Sequence, residues 1–435
     1  MVDLRRTELT VRAERAILVQ IYSKRNEELA RASLEELRAL AGNAHAIVVG
    51  ELAQPRLRPD PHTYVGKGKV AELGGLCREL DADIVICDDD LKPSQVRKLE
   101  ETLDTKVVDR SEVILDIFAQ HARTHQARLQ VELAQLEYAF PRLKKMWTHL
   151  DRLAGGTVGG LGGIGVRGPG EKQLEVDRRL VERRIQDLKE ELGQVENRRR
   201  IEAADRTKKF STVSIVGYTN AGKSTLMNAL TDAGVSVRDR LFETLDTRTR
   251  RWALPDGRGV MLSDTVGFIR KLPHHLVASF HATLEEARTA DVLLHVADAA
   301  SPTAEAQIAA VEGVLKDVGC TPDQYVLVLN KVDVIEDDAR LLLLRRKAEH
   351  AVCVSALTGQ GLDQLAALVQ QFLDHLAAEV TIEMSVGNGK LISLLYEKGV
   401  VLDRVFLDGV ARFKVKVPQQ MVGSIKSLGG RIRQS

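Results

Sequence analysis

The chain has 435 residues, room for several domains at roughly 150 residues each. Hydrophobic residues make up 44% and charged residues 28%, the balance of a globular protein in water rather than of a disordered or lipid-embedded one. A formal net charge of only +1 excludes a global field directed at nucleic acid or membrane, so any such partner must be met through local charge.

No apolar run reaches the ~20 residues needed to span a bilayer, and the first ten residues carry charge without the apolar core of a signal peptide. Cys77, Cys87, Cys320 and Cys353 are scattered without a C-x-x-C pair. That spacing fits neither a zinc site nor a disulfide frame and favours reduced, buried thiols. These features predict a cytoplasmic protein with no intrinsic membrane association.

Residues 16–22, 46–50, 83–87 and 106–109 read as short buried strands, and 33–40, 69–80 and 93–103 between them show helical periodicity. The alternation predicts a small α/β domain over 1–110 with a largely parallel sheet. A long helix is expected from Ser111, its N-cap, to about residue 146. Residues 155–170 form a glycine-rich stretch that cannot hold a regular element. Residues 171–209 follow with 12 Lys+Arg and 10 Asp+Glu on a sparse apolar stripe. Together, 111–209 predict a helical hairpin with the glycine loop at its tip.

Residues 210–376 alternate again, with strands expected at 212–216, 259–263, 292–296, 325–329 and 351–354. A further strand is expected to begin near residue 250. The tail, 380–435, carries a local charge of +5, and its runs at 392–396, 402–407 and 412–417 suggest a small α+β domain. The fold class expected is therefore α/β, with a nucleotide-binding domain between these smaller parts.

The strand at 212–216 runs into Gly217-Tyr218-Thr219-Asn220-Ala221-Gly222-Lys223-Ser224, with Thr225 next in the helix that follows. This is G-x-x-x-x-G-K-[ST] in its strand–loop–helix context. Backbone N–H groups and the helix N-terminus would face phosphates, Lys223 would reach the β- and γ-phosphates, and Ser224 would bind Mg²⁺. Asn330-Lys331-Val332-Asp333 ends another strand, at the sheet edge where open α/β folds bind ligands. A carboxylate there accepts from guanine N1–H and its exocyclic amine, donors that adenine does not present, so GTP and GDP are the expected nucleotides. Ser355-Ala356-Leu357 follows the last strand and offers a backbone N–H to guanine O6.

Asp264-Thr265-Val266-Gly267 completes the set. Asp264 would hold Mg²⁺ through water, and the Gly267 N–H would sense the γ-phosphate. Lys223 and Gly267 are the catalytic candidates. The remaining Mg²⁺ ligand should be a threonine after the phosphate-loop helix. Of Thr231, Thr244, Thr247 and Thr249, Thr244 leaves the most slack, with Thr247 second. The segment Phe242-Glu243-Thr244-Leu245-Asp246 is thus expected to touch nucleotide. Phe268 stands where many GTPases carry a water-orienting glutamine. Either a partner supplies that group and hydrolysis is slow alone, or another residue does while Phe268 packs in the core. Asn220 either braces the loop or helps bind a K⁺ ion beside the phosphates.

The ordered motifs are those of a translation-factor-type GTPase, and their flanks resemble the HflX GTPases. The resemblance is carried by Leu241-Phe242-Glu243-Thr244-Leu245-Asp246, by Asp264 to Pro273 (DTVGFIRKLP), and by the runs at 63–70, 109–120, 129–136 and 167–175. It departs at Thr247, where the family often has proline, and at Lys172, where threonine is common. The resemblance implies an N-terminal α/β domain, a helical hairpin, a GTPase domain and a small C-terminal domain. It also implies binding to the large ribosomal subunit and a role in splitting or rescuing stalled ribosomes, with no DNA partner. The 6 Lys+Arg against 3 Asp+Glu over 121–152 suit RNA phosphates. A regulatory GTPase acting on a protein or membrane partner is the alternative.

Overall fold

The computed structural model describes residues 13–154, 169–207, 210–231, 242, 248–271, 287–317, 319–320, 325–335, 338–407, 409–418 and 421–434. The chain divides into two compact units, one of residues 1–120 and 134–185 and the other of 121–133 and 186–435. Among the described residues no helix is long and apolar enough to cross a membrane, and all four cysteines are free thiols.

The first unit opens with β1 (Arg15–Tyr22), α1 (Glu27–Asn43), β2 (Ile47–Pro55), α2 (Lys67–Glu79), β3 (Ile84–Cys87), α3 (Pro93–Leu103), β4 (Lys106–Asp109) and α4 (Arg110–His121). Its four strands are all parallel in the order β2-β1-β3-β4. Val19, Val85 and Val107 on the strands and Leu73, Leu99 and Leu103 on the helices close one core. Arg110 is 1% exposed and survives burial by pairing with Asp88 at 2.8 Å and Glu36 at 3.0 Å.

Two local expectations change. Ser111 is not an N-cap but lies inside α4, its hydroxyl bonded to Asp90. The long helix is broken: α4 ends at His121, and α5 (His125–Ala154) restarts where the Thr124 hydroxyl accepts from Ala127 N–H at 3.2 Å. α2 opens with Lys67, and Lys69 in its first turn pairs with Glu72 at 2.7 Å. The charged segment forms α6 (Pro169–Thr207). The glycine stretch at 155–168 lies outside the described residues.

The second unit holds a six-stranded sheet in the order β10-β9-β8-β5-β7-β6. Its strands are β5 (Thr212–Gly217), β6 (Arg248–Ala253), β7 (Gly259–Asp264), β8 (Val292–Asp298), β9 (Tyr325–Asn330) and β10 (Ala351–Cys353). All pair in parallel except β6, which runs antiparallel to β7 at the edge. The helices include α7 (Lys223–Thr231), α8 (Ala304–Asp317), α9 (Asp338–Arg345) and α10 (Leu362–Leu376). β5, β8 and β9 are buried along almost their whole length, as central parallel strands must be.

A third sheet, antiparallel in the order β12-β13-β11-β14, closes the chain. Its strands are β11 (Ala377–Ser385), β12 (Val400–Leu407), β13 (Val410–Pro418) and β14 (Arg431–Gln434), with helices α11 (Gly389–Lys398) and α12 (Met421–Ser427). The run at 392–396 is helical, inside α11. Ile382, Phe413, Val415, Leu391 and Leu395 form its core.

Candidate nucleotide-binding site

The carboxyl ends of β5, β7, β8 and β9 bring the predicted motifs to one edge of the six-stranded sheet. β5 ends at Gly217, and residues 218–222 form a tight loop into α7. Asn220 is exposed and left-handed, with φ 59°. Gly222 has φ +89°, and a Cβ there would stand 2.2 Å from Asn330 Nδ2, so no other residue fits. The Lys223 ammonium folds back over the loop, donating to the carbonyls of Tyr218 at 2.8 Å and Gly217 at 3.2 Å. Burial lowers its pKa to about 8, with the Asp264 carboxylate pulling the other way.

Ser224 donates its hydroxyl to Asp264 Oδ2 at 2.8 Å, and Asp264 is fully buried. A hydroxyl and a carboxylate facing each other at the head of a helix are hard oxygen donors of the kind Mg²⁺ takes. The Thr219 hydroxyl is buried with no hydrogen-bond partner among the described residues, which fits a loop built to receive a further polar group. Thr265 is fully buried and spends its hydroxyl on the Ile215 carbonyl at 2.8 Å, so it is a brace between β7 and β5. Thr225 lies in the first turn of α7, half-buried.

Beyond Asp264 the chain lies against the phosphate loop. Phe268 N–H donates to the Gly217 carbonyl at 3.0 Å, and Thr219 N–H donates to the Phe268 carbonyl at 2.7 Å. Val266 and Phe268 are buried, 8% and 6% exposed. Phe268 thus has a packing role of its own.

Asn330 joins three segments. Its side-chain amide donates to the Ala221 carbonyl at 2.8 Å, and its oxygen accepts from Ala356 N–H at 3.0 Å. Lys331, left-handed at φ 64°, pairs with Asp298 at 2.8 Å. Val332 and Asp333 form a short 3₁₀ turn that leaves the Asp333 carboxylate exposed at the sheet edge. Ser355 is buried and its hydroxyl accepts from Thr358 N–H at 3.1 Å, while Leu357 is 80% exposed. The Ala356 N–H, a candidate for guanine O6, donates here to the Asn330 side chain.

Two of the four threonines are otherwise engaged: Thr231 donates to the Met227 carbonyl within α7, and Thr249 pairs with Ser263 across β6 and β7. Thr244 and Thr247, with Glu243, Leu245 and Asp246, lie outside the described residues. Phe242 is buried and left-handed at φ 59°. Sequence reasoning missed His295, on β8. It is 1% exposed, and burial, with Lys223 nearby, lowers its pKa to about 3, so it is neutral. Only its lone polarity inside an apolar run could have drawn notice.

Comparison with known proteins places this geometry. Family models match in chain order: GTP-binding GTPase N-terminal over 31–119, GTP-binding GTPase middle region over 121–206, 50S ribosome-binding GTPase over 212–331 and HflX C-terminal domain over 341–431. The GTPase HflX of Lacrimispora saccharolytica is 44% identical over 413 residues, covering 95% of each chain. The chain belongs to the HflX family of GTPases. GTPase HflX of Escherichia coli is 41% identical over 408 residues, 93% of this chain and 94% of that one. A crystal structure of a GTP-binding protein from Sulfolobus solfataricus in complex with GDP is 25% identical, with a TM-score of 0.43 over 83% of this chain and 99% of that one. As an HflX-family member the chain is a P-loop GTPase that binds GTP and hydrolyses it.

Proposed function

We propose that this HflX-family GTPase uses its nucleotide state to bind the large ribosomal subunit in the cytoplasm and to split or rescue stalled ribosomes. The observation that carries the reading is the match of residues 212–331, which hold the phosphate loop, Asp264–Gly267 and Asn330, to a family described as 50S ribosome-binding. The surplus of Lys and Arg over 121–152 in the sequence suits contact with RNA phosphates.

In this reading Lys223 holds the β- and γ-phosphates, and the Gly267 N–H contacts the γ-phosphate. Residues 217–225 and 242–246 contact the nucleotide. Asp333 reads guanine N1–H and its amine, Lys331 lies along the base, and Ser355-Ala356-Leu357 meets O6. Ser224 and Thr244 would hold Mg²⁺, with Asp264 acting through water; the ion neutralises charge on the transferring phosphoryl group. Asn220, exposed within the loop, would help hold K⁺ beside the phosphates. Phe268 offers no side-chain donor or acceptor, so the group that orients water comes from the bound subunit, and turnover is slow without it.

The test is sedimentation with purified large subunits. With a non-hydrolysable GTP analogue the protein should pellet, and it should release with GDP and with rising salt. Equal sedimentation in every nucleotide state, or none, would contradict the proposal and favour a protein or membrane partner.

A further inference from the structure

Tyr218 holds the second position of the phosphate loop, where phosphate recognition is expected to use backbone N–H groups rather than the side chain. Its side chain is nevertheless 4% exposed, and its hydroxyl accepts a hydrogen bond from Arg270 N–H at 2.7 Å. The same two segments are already joined by an isolated parallel bridge between Tyr218 and Phe268. The two backbone bonds of that bridge stop at Phe268. The phenol carries the attachment two residues further, across buried Ile269, to the point where Lys271 turns the chain left-handed at φ 54°. Gly267 is caught inside this zipper: a Cβ there would lie 2.8 Å from Thr219 Cγ2 and 2.9 Å from Lys223 Nζ.

We propose that the Tyr218 hydroxyl is a latch that fixes the segment after Gly267 on the phosphate loop, and so positions the Gly267 N–H for GTP hydrolysis. Tyr218 is then a positioning residue, acting through the backbone of 267–270. A backbone donor stabilises the transition state only where it is held in place beforehand. The ring of Tyr218 packs whether or not it carries oxygen, so only the hydroxyl separates latch from filler. The proposal rests on the assignment of Gly267 to the γ-phosphate and is independent of any ribosomal partner.

The test compares the full-length chain with Tyr218→Phe and Lys223→Ala. The readouts are GTP hydrolysis at saturating nucleotide, KM, and amide exchange over 266–271 with a non-hydrolysable GTP analogue bound. For Tyr218→Phe we expect kcat to fall about tenfold, KM to move less than about twofold, and the amides of Phe268 to Arg270 to exchange faster. An unchanged kcat overturns the proposal, whatever the exchange shows. Parallel losses in kcat and nucleotide affinity overturn it as well, because they describe damage to the phosphate loop alone. Lys223→Ala reports on the underlying site: if it keeps full nucleotide affinity, the site assignment itself fails. If it loses affinity while Tyr218→Phe keeps full kcat, only the latch fails.

Discussion

Asn330 donates its side-chain amide to the carbonyl of Ala221 at 2.8 Å, tying the end of β9 to a phosphate loop 109 residues earlier in the chain. Its oxygen takes the N–H of Ala356, so one side chain sets the spacing between the loop and the segment after β10. Removing it strands a buried carbonyl and a buried N–H, each worth about 1–3 kcal/mol if left unpaired. Asn330→Ala should weaken GDP and GTP binding alike by roughly ten- to a hundredfold. Gly222→Ala, whose Cβ would fall 2.2 Å from Asn330 Nδ2, should abolish binding. Titration with a fluorescent GDP analogue checks both, and unaltered affinity in either variant would contradict the role given to Asn330.

Asp333 is exposed at the sheet edge on a 3₁₀ turn, and in the proposed reading its carboxylate meets the guanine base. Guanine presents N1–H and an amine to it; xanthine replaces the amine with a carbonyl. Asp333→Asn should therefore lower GTP affinity by about a hundredfold or more and raise affinity for xanthosine triphosphate. Competition between the two nucleotides measures the reversal. A loss of both affinities without exchange of preference would remove Asp333 from base recognition.

Much of this site is legible in sequence because each motif is a run of neighbours with a fixed backbone task. The phosphate loop needs a strand before it and a helix after it, and both are written beside it. What joins the motifs is not legible. Nothing local tells that Asn330 meets Ala221, or that Tyr218 meets Arg270, since those contacts exist only once the sheet order is set. The break between α4 and α5 was hidden because Ala122 and Arg123 suit a helix; Thr124, an ordinary polar residue in sequence, ends the run by capping the next one. The strand expected near residue 250 begins at Arg248, although β6 reads RTRRWA, with Trp252 its one buried side chain, and an edge strand facing water carries little of the apolar signal that marked β5 and β9. In the small parallel sheet over 15–109, β1 and β3 were legible because they are buried along most of their length and read as apolar runs.

Lys223 gives the site a pH dependence of known sign. Its pKa of about 8 without nucleotide reflects burial. Phosphate oxygens favour the charged ammonium and raise that value, so binding takes up a proton once the free protein begins to lose it. Nucleotide affinity should be flat below about pH 8 and fall by up to about tenfold per pH unit above it. GDP titrations from about pH 6.5 to about pH 9.5, with proton uptake read by calorimetry in two buffers, check this. Constant affinity across that range would contradict it.

His295 should shape acid stability. Its folded pKa, about 3, lies below the 6.5 of the unfolded chain. The unfolded state therefore binds the proton first, and stability held above pH 6.5 is lost as pH falls toward 3, by up to roughly 1.4 kcal/mol per unit. His295→Leu should flatten urea-unfolding stability between about pH 6.5 and about pH 4.5 relative to the unaltered chain. Identical slopes in the two proteins would assign the acid limb to other groups.

The measurement closest to the centre of this account is GTP turnover by the full-length protein, with and without purified large ribosomal subunits. Phe268 is buried and its backbone is spent on the phosphate loop, so in the proposed reading the group that orients water comes from the bound subunit. Turnover should accordingly be slow alone and rise by about tenfold or more when subunits are added, in proportion to their concentration until saturation. Slow turnover that subunits leave unchanged would keep the GTPase but contradict the ribosome as the partner that completes its site.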